Sequence, residues 1–253
     1  MTRQELNQEI NRKRSCLCIG LDAAPVSFEM NKKIIDETAN YAVAFKPNVA
    51  FYEADGWKGW KILEKTMDYL RSTYPGHFLI ADAKRGDIGN TAKEYARTFF
   101  ERMDFDAITL SPYMGYDSIE PFLEYTQKWV IILALTSNPS ATDFQLFSGA
   151  ENKPLYRHVI DTANTWADNN KIMYVAGATR PHLLQEVRKA APDRFLLVPG
   201  VGAQGGAIEE VMQYGKTQDG DLLINVSRSV IYSDKGFAQA AGLLADSMSR
   251  FFS

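Results

Sequence analysis

The chain has 253 residues, with 28 basic and 31 acidic side chains and a formal net charge of −3. That balance gives no electrostatic case for nucleic acid or an anionic membrane surface as partner. Apolar residues make up 45% and aromatics 12%, enough for a packed core, and no apolar run is long enough to span a bilayer. No linker, charge block or low-complexity segment divides the chain, so residues 1–253 read as one domain.

The first ten residues are polar and helical in pattern, with no apolar signal-peptide region. Cys16 and Cys18 are the only cysteines. Both fall in the apolar run Cys16–Leu21, the first predicted strand, where they would face the same way. Reduced structural thiols and a cytoplasmic setting fit this usage. The histidines, His77, His158 and His182, are scattered, and no spacing of His, Cys and carboxylate suggests a metal site.

Asp22 closes the first strand, and helical spacing follows over Phe28–Ala42. Ala42–Phe45 forms a second strand ending in Lys46, and Gly56–Tyr74 a long amphipathic helix. Glu53 and Asp55, between them, read as solvated turn residues. The third strand spans 78–84, and a helix covers Thr91–Arg102 with Asn90 as its cap. Asp106–Ser111 and Trp129–Leu135 are the fourth and fifth strands, separated by a short helix over Ser118–Gln127. A long polar loop runs to Lys153, followed by a helix over Leu155–Asp168. Ile172–Ala176, Phe195–Val198 and Leu222–Val226 are the last three strands. Their helices cover Pro181–Ala191, Ala207–Tyr214 and Phe237–Phe251.

Eight strands alternating with helices require a parallel sheet. About 250 residues in eight such units favour a closed (β/α)8 TIM barrel. The alternative, an open doubly wound sheet, prefers a glycine-rich turn after the first strand, and Leu21-Asp22-Ala23-Ala24-Pro25 is not one.

The stretch 78–94 carries the chemistry. The apolar run Phe78–Ala81 ends in Asp82-Ala83-Lys84-Arg85-Gly86-Asp87. Asp82 and Lys84 are two residues apart and project the same way from an extended chain. A plain ion pair finishing the strand is one reading. The other is an active site, since chemistry in α/β barrels sits at the carboxyl ends of the strands. A second candidate lies after the seventh and eighth strands. Pro199 opens a turn with Gly200, Gly202, Gly205 and Gly206, and Ser227-Arg228 follows the eighth strand. Backbone N–H groups and an arginine in this position suit a phosphate group. Ser137 and Asn138, ending the fifth strand, suit either a polar ring or a simple turn.

These motifs together resemble the orotidine 5′-phosphate decarboxylase family, in its type 2 form. The carrying stretches are Ile-Gly-Leu-Asp (19–22), Phe-Lys-Pro-Asn (45–48), Asp-Ala-Lys-Arg-Gly-Asp-Ile-Gly-Asn-Thr (82–91), Leu-Thr-Ser-Asn (135–138), Val-Pro-Gly-Val-Gly-Ala-Gln-Gly-Gly (198–206) and Asn-Val-Ser-Arg (225–228). The resemblance implies a cofactor-free homodimeric barrel that converts orotidine 5′-monophosphate (OMP) to UMP and CO2. It implies a catalytic array of Lys46, Asp82, Lys84 and Asp87, with Asp87, Ile88 and Thr91 supplied across the dimer interface. Asp22 would bind ribose and Ser137 the pyrimidine, while Pro199, Gln204, Ser227 and Arg228 would surround the phosphate. The commoner family pattern has glycine where this chain has Ser227, a change that preserves a backbone N–H contact. Three rivals share parts of the pattern: a metal-dependent sister barrel acting on sugar phosphates, a Schiff-base aldolase using Lys84 or Lys46, and a non-catalytic nucleotide-binding module. The metal-dependent relatives carry an acid where this chain has Lys46.

Overall fold

The computed structural model describes residues 1–149, 152–178, 180–201 and 207–252. Eight parallel strands close into a barrel in sequence order. They are β1 (Leu17–Gly20), β2 (Ala44–Lys46), β3 (Phe78–Arg85), β4 (Ala107–Leu110), β5 (Trp129–Leu135), β6 (Ile172–Ala176), β7 (Leu196–Pro199) and β8 (Leu222–Val226). Pairing of β8 with β1, Cys18 opposite Asn225, completes the ring and leaves no unpaired edge. The open-sheet alternative is thereby ruled out.

Helices cover the outside and cap the ends. They are α1 (Arg3–Lys13), α2 (Phe28–Thr38), α3 (Val49–Glu53), α4 (Gly56–Thr73), α5 (Gly89–Ala96), α6 (Glu120–Leu123), α7 (Ala141–Phe144), α8 (Leu155–Ala163), α9 (Pro181–Ala190), α10 (Ile208–Gly215), α11 (Arg228–Ile231) and α12 (Phe237–Ser249). Local chemistry sets several boundaries. The Ser27 hydroxyl accepts the Met30 N–H and starts α2. Four residues earlier than the spacing predicts, α2 stops. The Lys13 ammonium takes the carbonyls of Ala39 and Ala42 at 2.7 and 2.6 Å, which satisfies the backbone beyond the last turn.

The expected cap at Asn90 is not used. The α5 helix begins two residues earlier, at Gly89, with Ile88 in the cap position and no side-chain cap bond. Gly89 has a φ of +58°, so it turns the chain into the helix. Beyond Ala96 the helix widens into a π-helical turn over Arg97–Arg102 that buries Phe99 and Phe100. The loop after β2 also differs from expectation, since it contains α3. Its Glu53 pairs with Arg85, whose guanidinium lies over the rings of Tyr95 and Phe99. The α3 helix thus braces the end of β3. Asp55 remains exposed at the turn before α4, as expected.

Most strands are buried along their whole length. β3 is the longest, at eight residues: its first four are buried and its last four are partly open. Cys18 lies beside Asn225, its sulfur 3.6 Å from Oδ1, while the Cys16 sulfur touches Met212 and Met248 of the outer helices. The same-face expectation fails because Cys16 precedes the first strand residue, where the two-residue alternation does not hold. Burial pushes both thiols up to about 12, which makes them inert.

Gly59 marks the tightest helix contact. A Cβ there would stand 1.8 Å from the Tyr52 carbonyl oxygen. Backbone cannot yield as a flexible side chain does, so Gly59→Ala should force α3 from α4 and cost about 1–3 kcal/mol. A denaturant melt checks this; an unchanged midpoint would mean the two helices separate freely.

Candidate active site

At the carboxyl ends of the strands, a cavity of about 300 Å³ opens between β1, β2, β3, β7 and β8. Its walls include Asp22, Lys46, Asp82, Pro199, Ser227 and Arg228. Both predicted candidate regions therefore open onto one cavity, with the acid–base cluster toward β2 and β3 and the arginine toward β8.

The cluster centres on Asp82. Its Oδ2 accepts the Lys46 ammonium at 2.7 Å, and its Oδ1 accepts the Lys84 ammonium at 2.6 Å. The Thr109 hydroxyl donates to the same Oδ1 at 3.0 Å. Burial alone would raise the Asp82 carboxyl, but the two lysines overcome it and hold the group well below the ordinary carboxylate range. Lys46 is 4% exposed. Burial opposes its charge, and the carboxylates of Asp82 and Asp22 more than restore it, so its pKa stands above the ordinary lysine value. Lys84 is different: its side chain is 49% exposed, and it meets Asp82 without itself lining the cavity.

Backbone geometry creates this cluster. A four-residue step of β3, from Ala81 to Arg85, runs beside the two-residue step from Ile108 to Leu110 on β4. The extra length forms a bulge holding Asp82 and Lys84, a device common beside active sites. Lys84 adopts a φ of +47° there, a left-handed conformation that costs a non-glycine residue about 1 kcal/mol or more. Asp82 is tied to the β2 exit, its N–H donating to the Pro47 carbonyl at 3.1 Å. Asp22 accepts the Asn48 N–H at 3.2 Å, which links the β1 and β2 exits. Close approach of β1 and β8 depends on Gly20, since a Cβ there would come within 2.7 Å of the Ser227 Cβ.

The remaining predicted residues separate into groups. Asp87, Ile88 and Thr91 follow β3 but do not line this cavity. Asp87 accepts the N–H of Ile88 at 2.8 Å and forms no ion pair with either lysine among the described residues. Ser137 stands at the β5 exit, outside the cavity wall. Its neighbours Thr136 and Asn138 hydrogen-bond to each other at 2.6 Å, and Gln145 closes this loop onto Thr136 at 2.7 Å. The loop before Lys153 includes α7. Gln204 and the glycines Gly202, Gly205 and Gly206 lie outside the described residues.

Several wall residues escape sequence reasoning. Asn48, Phe51, Asn225 and Tyr232 line the cavity. Asn48 and Asn225 stand inside motifs noted for their neighbours, and Asn225 interrupts an apolar strand, which is the signal that marks it. Phe51 and Tyr232 lie on or next to short helices that the sequence pattern does not reveal. Among the described residues, no cluster of three or more His, Cys, Asp or Glu is placed to hold a metal ion.

A closed (β/α)8 barrel with an ionised acid–base cluster at its strand ends has the architecture of a barrel enzyme. The chain belongs to the Orotidine 5′-phosphate decarboxylase / HUMPS family, which it matches over residues 15–242. It is 53% identical to orotidine 5′-phosphate decarboxylase from Christiangramia forsetii, across 98% of this chain and 96% of that one. The OMP decarboxylase structure from Leishmania donovani superposes with a TM-score of 0.91 at 36% identity, covering 99% of both chains. Leishmania donovani UMP synthase matches with a TM-score of 0.92 and 38% identity over 99% of this chain, which spans 56% of that longer protein.

Asp82→Asn should expose how the cluster is balanced. It leaves Lys46 buried beside a neutral amide, so the loss at pH 7 should be about 3 kcal/mol. Because the folded carboxyl is depressed, its stabilisation is present above the unfolded value of about 3.9 and is lost as pH falls below it. Urea melts should therefore show a clear gap between parent and variant at pH 7 that narrows below about pH 4. Equal midpoints at pH 7 would mean that the pair contributes no net stability.

Proposed function

We propose that this chain decarboxylates OMP to UMP and CO2, as a type 2 family member acting in the cytoplasm in pyrimidine biosynthesis. The observation that carries the reading is Asp82, paired with both Lys46 and Lys84, lining one cavity together with Lys46 and Arg228. The closed ring of strands drawn from residues 17 to 226 supports treating residues 1–253 as one domain.

The reaction breaks the bond between pyrimidine C6 and its carboxylate. The electron pair stays on C6 in the plane of the ring, where the π system cannot delocalise it. A positioned ammonium can stabilise that charge and supply its proton, and Lys84 takes this role. Its side chain is 49% exposed and its ammonium stands 2.6 Å from Asp82, which lines the cavity; both support this role. Asp82 faces the departing carboxylate; the repulsion between two anions is relieved as CO2 leaves neutral. Lys46 keeps Asp82 ionised and in place. Asp22 holds the ribose hydroxyls and Ser137 the ring, and Pro199, Gln204, Ser227 and Arg228 surround the phosphate. The phosphate lies away from the reacting carbon, so its binding energy serves to close the site around the ring. These steps need only fixed charge and a proton donor, so no cofactor is invoked.

Asp87, Ile88 and Thr91 belong to the site of a second copy in this reading. Ile88 is 44% exposed and Tyr113, after β4, is 88% exposed; exposed apolar side chains of this kind are what a twofold partner would cover. Asp87, unpaired with either lysine of its own chain, then completes the array of the partner.

The direct assay is ultraviolet detection of UMP formation from OMP in EDTA, with Lys84→Ala alongside. The parent should turn over without metal, and the variant should lose nearly all turnover while still binding UMP. Dependence on added Mg²⁺ would favour a sister barrel acting on sugar phosphates. Turnover near the parental rate in Lys84→Ala would remove Lys84 as proton donor. For the shared site, inactive Lys84→Ala and Asp87→Ala chains are mixed under conditions that form heterodimers. One intact site should return in each heterodimer, and with it part of the activity; silence from verified heterodimers would place Asp87 in the site of its own chain.

A further inference from the structure

Thr109 occupies an interior position of β4 and is 1% exposed. Branched hydrocarbon side chains ordinarily fill such positions in a barrel, and valine has the same shape. Its hydroxyl is nonetheless fully used. The Lys84 N–H donates to Thr109 Oγ at 3.0 Å, and the hydroxyl donates to Asp82 Oδ1 at 3.0 Å. The bulge explains the first contact. A four-residue step of β3 runs beside a two-residue step of β4, and Thr109 is the β4 residue within that step. The N–H of Lys84 there meets a side-chain hydroxyl. The first contact also orients the second, because with one lone pair taken by the N–H, the hydroxyl hydrogen points to the carboxylate.

We infer that Thr109 is a positioning residue of the catalytic cluster, holding Asp82 and the left-handed Lys84 backbone in one geometry throughout turnover. The inference rests on the roles proposed above for Asp82 and Lys84. Oδ1 of Asp82 has two donors, the Lys84 ammonium and the Thr109 hydroxyl. When Lys84 gives a proton to C6, it becomes a neutral amine and its charged hold on Oδ1 weakens. The Thr109 hydroxyl carries no charge that changes during the reaction. It keeps the carboxylate plane fixed until Lys84 regains a proton from solvent, and it keeps the Lys84 backbone in the turn from which the ammonium reaches Asp82.

The test compares Thr109→Val, Thr109→Ala and Thr109→Ser. Valine keeps the bulk and loses the hydroxyl, alanine loses both, and serine keeps the hydroxyl. Misplacement of a reacting group by about 1 Å costs on the order of 10²-fold in rate. The valine and alanine variants should therefore lose about tenfold to a hundredfold in kcat, with KM for OMP little changed. Serine should restore kcat to near the parental value. If valine does not fold, alanine provides the same reading. Parental kcat in a folded hydroxyl-free variant overturns the inference, and so does a serine variant as slow as the valine one. Lys84→Ala, assayed in parallel, separates two failures. If it is silent while Thr109→Val is fully active, only the role of Thr109 falls. If it turns over normally, the assignment of Lys84 falls and takes this inference with it.

Discussion

A carboxylate nearly out of water stays ionised only when cations meet it, and removing either partner leaves an uncompensated charge. Asp82 stands in that position between Lys46 and Lys84. Its partners come from two strands, so the charge balance depends on β2 and β3 ending at the same height. The bond from the Asp82 N–H to the Pro47 carbonyl sets that height. Asp22, joined to the Asn48 backbone, brings in β1, and Gly20 lets β8 approach with Ser227. The cavity is thus assembled outward from one ion-paired acid.

The barrel supplies convergence, and the bulge in β3 supplies direction. A regular strand would carry Asp82 and Lys84 onward with the ladder. The extra length opposite Thr109 breaks that register and turns Lys84 into a left-handed conformation beside Asp82. Such conformations persist where surrounding contacts over-determine them. Here those contacts are the Thr109 hydroxyl on one side and, on the other, the Glu53–Arg85 pair with Tyr95 and Phe99 beneath the guanidinium. The division of β3 into a buried half and a partly open half is the structural form of this arrangement: one half belongs to the core and the other to the site.

Fold class was legible because eight apolar runs alternate with helical spacing, and the buried strands of a parallel barrel read as continuous hydrophobic segments. The charged residues ending those runs were legible as candidates for the same reason, since an acid or base after a buried strand needs a partner. Asp82, Lys46 and Arg228 do meet one cavity. Less visible were features made by contacts between distant segments. Glu53 reads as a solvated turn residue until Arg85 is seen against it, and α3 and α11 are too short for periodicity to reveal. Asn90 has the chemistry of a cap, but the left-handed Gly89 starts the helix before it.

Sequence by itself determined the order of strands and helices, a parallel sheet and the identity of the ionisable groups at the strand ends, because local periodicity and the burial of apolar runs are properties of contiguous residues; closure of the barrel came with the pairing of β8 and β1. Tertiary structure decided which of those groups touch. It put Lys46 and Lys84 on opposite oxygens of Asp82, kept Asp87 out of that cluster within the chain, and set Thr109 between the carboxylate and the backbone of the lysine. Those outcomes depend on a register shift between two strands and on angstrom-scale distances across the barrel, and neither is encoded in the spacing of residues along one segment.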